Sequence, residues 1–190
     1  MRLVLKILNK IIDISGWICV AALMLMIGNV FLDVFVRYIF VDLMKAMDLY
    51  TWYDSHISWF GGIGMQELEW HWFSIVFLLG MGYTLKEDGH VRVDVFYDNF
   101  SPAVKSIINI IGTLIFTIPF CGLVAYYSWG YFEHSYQSGE NIGNPGSLPR
   151  LWPIKLLLPI AFGFVVLSAI TVMLKEIISL CENKQKAPQA

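Results

Sequence analysis

The chain has 190 residues, 57% of them hydrophobic and 15% charged, with a formal net charge of −2 and a mean hydropathy of +0.61. A soluble domain of this length carries about a quarter charged residues, so the composition excludes an ordinary soluble fold, and no nucleic-acid partner is expected. Cys19, Cys121 and Cys181 have neither the spacing of a disulfide framework nor that of a metal site.

Apolar residues gather in four blocks. Ile14–Leu32 and Ile107–Phe132 contain no charge, Trp70–Leu85 contains only His71, and Leu156–Leu174 lies between Lys155 and Lys175. A span needs about 20 apolar residues to cross roughly 30 Å of hydrocarbon. Three blocks meet this alone, and the second does so when extended back through Glu69 and Glu67 to Met65. The pattern predicts an all-α polytopic protein, one membrane domain of four transmembrane helices over about residues 13–37, 65–86, 103–132 and 151–175.

In chain order, residues 1–12 set Arg2, Lys6 and Lys10 against Leu, Val and Ile, as an N-terminal amphipathic segment on the membrane surface does. The apolar run that follows is too long for a signal peptide, and no small-residue cleavage site follows it. Span one ends with Asp33 and Arg37, four residues apart on one helix face and near the membrane boundary. They read as a self-neutralising pair or as contacts to a partner. The first connector, 41–64, is too polar to span and too aromatic to float free, which predicts an interfacial helix ended by Gly61–Gly62.

Span two opens with "MQELEWHW". Glu67 and Glu69 are expected in its first turn, where the helix dipole favours acids, or as partner contacts; Trp70 and Trp72 belong to the aromatic belt. The polar run Lys86–Asp98 follows. Its simplest reading is a solvated connector, but Val91, Val93 and Val95 alternate with His90, Arg92 and Asp94, as in a tightly turned or extended segment with one packed face. Span three starts at Ser101–Pro102, a capping serine with proline in the first helical position. Pro119 predicts a kink within it. The connector after it is an ordered Gly/Asn/Pro-rich loop, and residues 176–190 after span four are expected to be a disordered tail.

Basic residues give an orientation. Arg2, Lys6, Lys10, Lys86, Arg92, Lys105, Lys175, Lys184 and Lys186 share one side, against Lys45, Arg150 and Lys155 on the other. The positive-inside rule puts both termini in the cytoplasm.

Catalytic chemistry finds no purchase. His56, His71, His90 and His134 do not pair at mid-membrane depth as haem ligands would, there is no phosphate-binding glycine loop, and no nucleophile has a base. No ionisable residue sits at mid-depth to mark a transport route, Asn29 being the most polar buried side chain of span one. A membrane-embedded chain without a conduit points to an accessory role. The competing readings are a membrane anchor of a redox enzyme and an autonomous channel.

Several segments carry a family resemblance in the right order: "VFVRYIF" closing span one, "QELEWHWFSIVFLLGMGYTLKEDGHVRVDVFY", and "LPRLWPIKLLLPIAFGFVVL" opening span four. The run Gly89–Asp94 is the most specific piece. The sequence resembles the small DctQ-type membrane subunit of tripartite ATP-independent periplasmic (TRAP) transporters over about residues 10–180. The resemblance implies a non-catalytic scaffold in the bacterial inner membrane, surrounded by lipid. Its partners would be a large permease subunit, which carries substrate and Na+, and a periplasmic binding protein that delivers an organic acid bearing a carboxylate or sulfonate. No cofactor or metal on this chain is implied. The candidate contact or structural residues are Asp33, Arg37, Glu67, Glu69, His90, Arg92 and Asp94.

Overall fold

The computed structural model describes residues 2–57, 60–89, 97, 99–144 and 146–186. Helix runs without a break from Arg2 to Ala46, as α1 (Arg2–Phe35), a π-helical turn (Val36–Phe40) and α2 (Val41–Ala46). Then come α3 (Tyr50–His56), α4 (Ile63–Lys86), α5 (Pro102–Gly112), a second π-helical turn (Thr113–Thr117), α6 (Ile118–Ser138) and α7 (Trp152–Lys186). The described residues contain no strand.

Among the described residues, three continuous helical stretches are long and apolar enough to cross a membrane: Leu3–Ala46, Pro102–Ser138 and Trp152–Cys181. The 24-residue α4 has the length, but Glu67, Glu69, His71 and Lys86 dilute its apolar content, and it does not join the three on that measure.

The local physics explains the helix ends. Two of them close with an aspartate in the left-handed region. Asp48 has φ 57°; its N–H donates to Lys45 O at 3.2 Å, and the Leu49 N–H donates to Met44 O at 2.9 Å. Asp88 has φ 58°; its N–H donates to Leu85 O at 3.3 Å, and the Gly89 N–H donates to Thr84 O at 2.9 Å. This reciprocal pair of bonds satisfies the last helical carbonyls, and aspartate tolerates the backbone region better than most non-glycine residues. At the start of α5, Ser101 is extended and Pro102 opens the helix as the sequence predicts, but the Ser101 side chain makes no capping hydrogen bond. Its carbonyl instead accepts the first helical bond, from the Lys105 N–H at 3.0 Å. Pro119 acts one turn back. It cannot donate to residue 115, and the wider π-helical turn at 113–117 accommodates its ring.

Other boundaries differ from expectation. The N-terminal segment is not set off from span one, because nothing in residues 2–16 breaks a helix and Ser15 Oγ donates back to Ile12 O at 2.7 Å. The first connector holds two short helices, α2 and α3, separated at Asp48, rather than one. Helix α7 continues to Lys186, past residue 175, through residues with no proline before Pro188.

The chain divides into two compact units. The first comprises residues 1–17, 78–129 and 158–190. Its core includes Ile12, Leu79 and Cys121, with Ala161, Val165 and Ala169 on one face of α7. Small residues allow close approach of helices: a Cβ at Gly82 would stand 3.3 Å from the Phe164 carbonyl carbon and oxygen and from Ser168 Oγ. Lys86, with its side chain 8% exposed, pairs with Asp13 and with Glu87. Glu176 accepts from Ser106 Oγ and from the Asn109 carboxamide, and Asn109 Oδ1 accepts from Tyr97.

The second unit comprises residues 18–77 and 130–157. Ala22, Val36, Tyr53 and Met65 are buried there. Asn29 donates to Met65 O at 3.0 Å, and Tyr53 donates to Phe60 O. Gly61 (φ 80°) lies so close to Val36 that a Cβ would come within 2.9 Å of Cγ1, so glycine meets both a backbone and a space requirement there. Trp152 packs edge-on against Phe132 and Tyr136, and Lys155 pairs with Glu140 and lies 4.0 Å from the Tyr131 ring centroid.

Candidate functional site

The second unit gathers four of the residues singled out by sequence. Asp33, at 5% exposure, is a carboxylate taken out of solvent, and burial of a charge is tolerated only with a partner. Arg37, one turn on within the π-helical turn, supplies it: Nη2 donates to Asp33 Oδ1 and Oδ2 at 2.9 and 2.8 Å. With its carboxamide oxygen turned to the guanidinium, Gln66 of α4 accepts from Arg37 Nη1 at 2.9 Å and Nη2 at 2.8 Å. Glu69, one turn on from Gln66, lies within electrostatic reach of both Asp33 and Arg37. The self-neutralising pair read from the sequence is therefore present, and α4 extends it.

Glu67 has a different role from the one expected. Helix α4 begins at Ile63, which leaves no acid in its first turn. Neither Glu67 nor Glu69 therefore caps the first turn, and Glu67 instead bonds outside the helix. Glu67 is 6% exposed, and its Oε2 accepts from the Leu148 N–H at 2.6 Å, 81 residues away. The loop carrying Leu148 approaches α4 closely, for a Cβ at Gly64 would stand 2.9 Å from Gly146 O. The other oxygen, Glu67 Oε1, is buried with no hydrogen-bond partner among the described residues.

Beside this acid the surface forms an open recess of about 440 Å³, lined by Ile63, Gln66, Glu67, Glu69, Trp70, Ile142 and Asn144. Its polar wall is two carboxylates and two carboxamides, and the rest is apolar. Sequence reasoning missed Gln66, Asn144 and the Leu148 amide. The signal for Gln66 was available, since it lies within the quoted "MQELEW", but that for the loop was not, because its contacts are long-range.

His90, Arg92 and Asp94 lie outside the described residues. Just before them, Lys86 pairs with Asp13 and Glu87, and Asp88–Gly89 closes α4. His71 Nδ1 sits 2.6 Å from Glu67 O within its own helix, and His56 Nδ1 lies 2.7 Å from Ser55 Oγ. Among the described residues no group of three or more His, Cys, Asp or Glu side chains is placed to hold a metal ion.

Glu140 and Lys155 tie the loop back to α7. The lysine hydrogen bond holds the Glu140 carboxyl below its ordinary range. The Leu151 N–H donates to Glu140 O at 3.1 Å, so one residue fixes the loop through both side chain and backbone.

None of the curated proteins matches the chain. A family model described as "Tripartite ATP-independent periplasmic transporters, DctQ component" matches residues 26–179. That range takes in the ion pair at Asp33–Arg37, the whole of α4 and the recess, together with most of α7, and the chain belongs to the DctQ component family of TRAP transporters.

Proposed function

We infer that this small permease component acts as a non-catalytic scaffold. It enlarges the static part of a large permease subunit and helps to dock a periplasmic binding protein, in sodium-coupled uptake of an organic acid bearing a carboxylate or sulfonate. Substrate and Na+ are handled by the partners, and this chain binds no cofactor of its own. In this reading α4 is the fourth transmembrane helix, both termini are cytoplasmic and the membrane is the bacterial inner membrane.

The observation that carries the reading is how little of two of the long apolar helices the chain covers itself. Only 6% of the most apolar window of Pro102–Ser138 and 11% of that of Leu3–Ala46 is buried within the chain. Trp17, Phe31, Phe116 and Phe120 are all well exposed. Such faces need lipid or a larger membrane partner to cover them. Two polar clusters, in contrast, are engaged inside the chain, Asp33–Arg37–Gln66 and Ser106–Asn109–Glu176. That division suits a scaffold better than a conduit, which needs polar groups free to meet its cargo.

Uptake into proteoliposomes tests it. The large permease and binding protein together are expected to take up substrate on a sodium gradient only when this chain is present. Undiminished uptake without it, or uptake by this chain alone, contradicts the reading.

A further inference from the structure

Four features of the recess at the start of α4 bear on what it holds. Its walls carry Glu67 and Glu69 with no cation among the seven lining residues. Glu67 is more than nine-tenths buried, and its Oε1 has no partner among the described residues, although a buried carboxylate oxygen without one is costly. The guanidinium of Arg37 is already committed to Asp33 and Gln66. Finally, the acceptors Gln66, Glu67, Glu69 and Asn144 adjoin an apolar wall of Ile63, Trp70 and Ile142, and Trp70 is 72% exposed.

We propose that this recess receives an arginine side chain of the periplasmic binding protein. The proposal rests on the docking role given above and names where it acts. Charge selects a cation. Size and shape select among cations: a bare inorganic ion leaves most of about 440 Å³ unfilled, whereas an arginine presents five N–H donors in a planar fork on an apolar stem. The fork meets the carboxylates and carboxamides, and the stem lies along the isoleucines and the exposed indole, whose face also favours a cation. Tryptophan at this position marks the headgroup level, within reach of a soluble protein.

The test uses the purified two-subunit membrane complex in vesicles and the immobilised binding protein, with the dissociation constant read over a range of salt. Glu67→Gln and Glu69→Gln each keep side-chain shape while removing the charge, and Glu67→Gln also keeps an acceptor oxygen for the Leu148 N–H. Each is expected to weaken binding about tenfold at low salt, with the difference narrowing as salt rises. Glu87→Gln, in the other unit, is expected to leave the constant unchanged. Unchanged affinity in both recess variants overturns the proposal. So does weakening that appears only in phosphatidylethanolamine vesicles and vanishes in phosphatidylglycerol, which assigns the recess to a lipid ammonium. Co-purification of the large permease with each variant is read in the same preparations, so failure of the scaffold reading shows separately.

Discussion

Asn109 on α5 donates to Glu176 on α7 at 2.8 Å, joining two helices 67 residues apart in sequence. Ser106 takes the other carboxylate oxygen at 2.6 Å, so both oxygens of Glu176 are engaged. In a helix pair with little other polarity, such a bridge sets register as well as adding stability. Glu176→Ala, which orphans two donors, is expected to cost about 1–3 kcal/mol. Asn109→Ala, which leaves Ser106 in place, is expected to cost less. Thermal unfolding of the detergent-solubilised complex checks the order, and equal effects would show that Ser106 does not share the load.

Close packing gives a second contrast. A side chain at Gly82 meets the Phe164 backbone, which cannot swing aside, whereas a Cβ at Gly28 meets nothing within 4 Å in the chain. Gly82→Val is expected to destabilise by about 1–3 kcal/mol through overpacking. Gly28→Ala is expected to be neutral or mildly stabilising, since alanine is the better helix former. The unfolding midpoints of the two variants decide it; a neutral Gly82→Val would mean the two helices do not approach so closely.

The two left-handed aspartates predict an unusual direction. Asp48→Gly and Asp88→Gly remove a backbone strain and are expected to stabilise by up to about 1 kcal/mol. A β-branched valine at either site should destabilise. Loss of stability in both glycine variants would indicate that the aspartate side chains contribute more than the backbone conformation costs.

Acid should act on the Glu140–Lys155 pair. The folded-state value of Glu140 is depressed below its ordinary 4.5 by the lysine hydrogen bond. Its contribution is therefore complete above pH 4.5 and is lost as the pH falls through the lowered value. The stability difference between the native chain and Glu140→Gln is expected to be constant above that point and to close below it. A difference that persists unchanged in acid would show that the pair's charge is not what fixes the loop.

Local features were legible in the sequence because their causes are local. The i,i+4 spacing of Asp33 and Arg37 gave the ion pair, and Pro102 gave the start of α5. The apolar runs gave the three long helices. What periodicity could not give was the partner of each polar group across the fold. Glu67 has a plausible local role at a helix start, but its carboxylate is claimed by the Leu148 N–H 81 residues on. Likewise Ser106 and Asn109, three apart on one face of α5, signal a polar stripe without naming Glu176 as what meets it. The helix ends at Asp48 and Asp88 were hidden for another reason: glycine is the usual mark of a left-handed terminus, and here aspartate replaces it.

Whether this chain works as a scaffold can be read from what it holds in its own membrane. The tagged chain, extracted in mild detergent and analysed by mass spectrometry, is expected to bring with it a much larger polytopic permease, with the periplasmic binding protein recovered when added. Recovery of a flavin or iron–sulfur subunit instead, or of this chain by itself, would contradict the scaffold role.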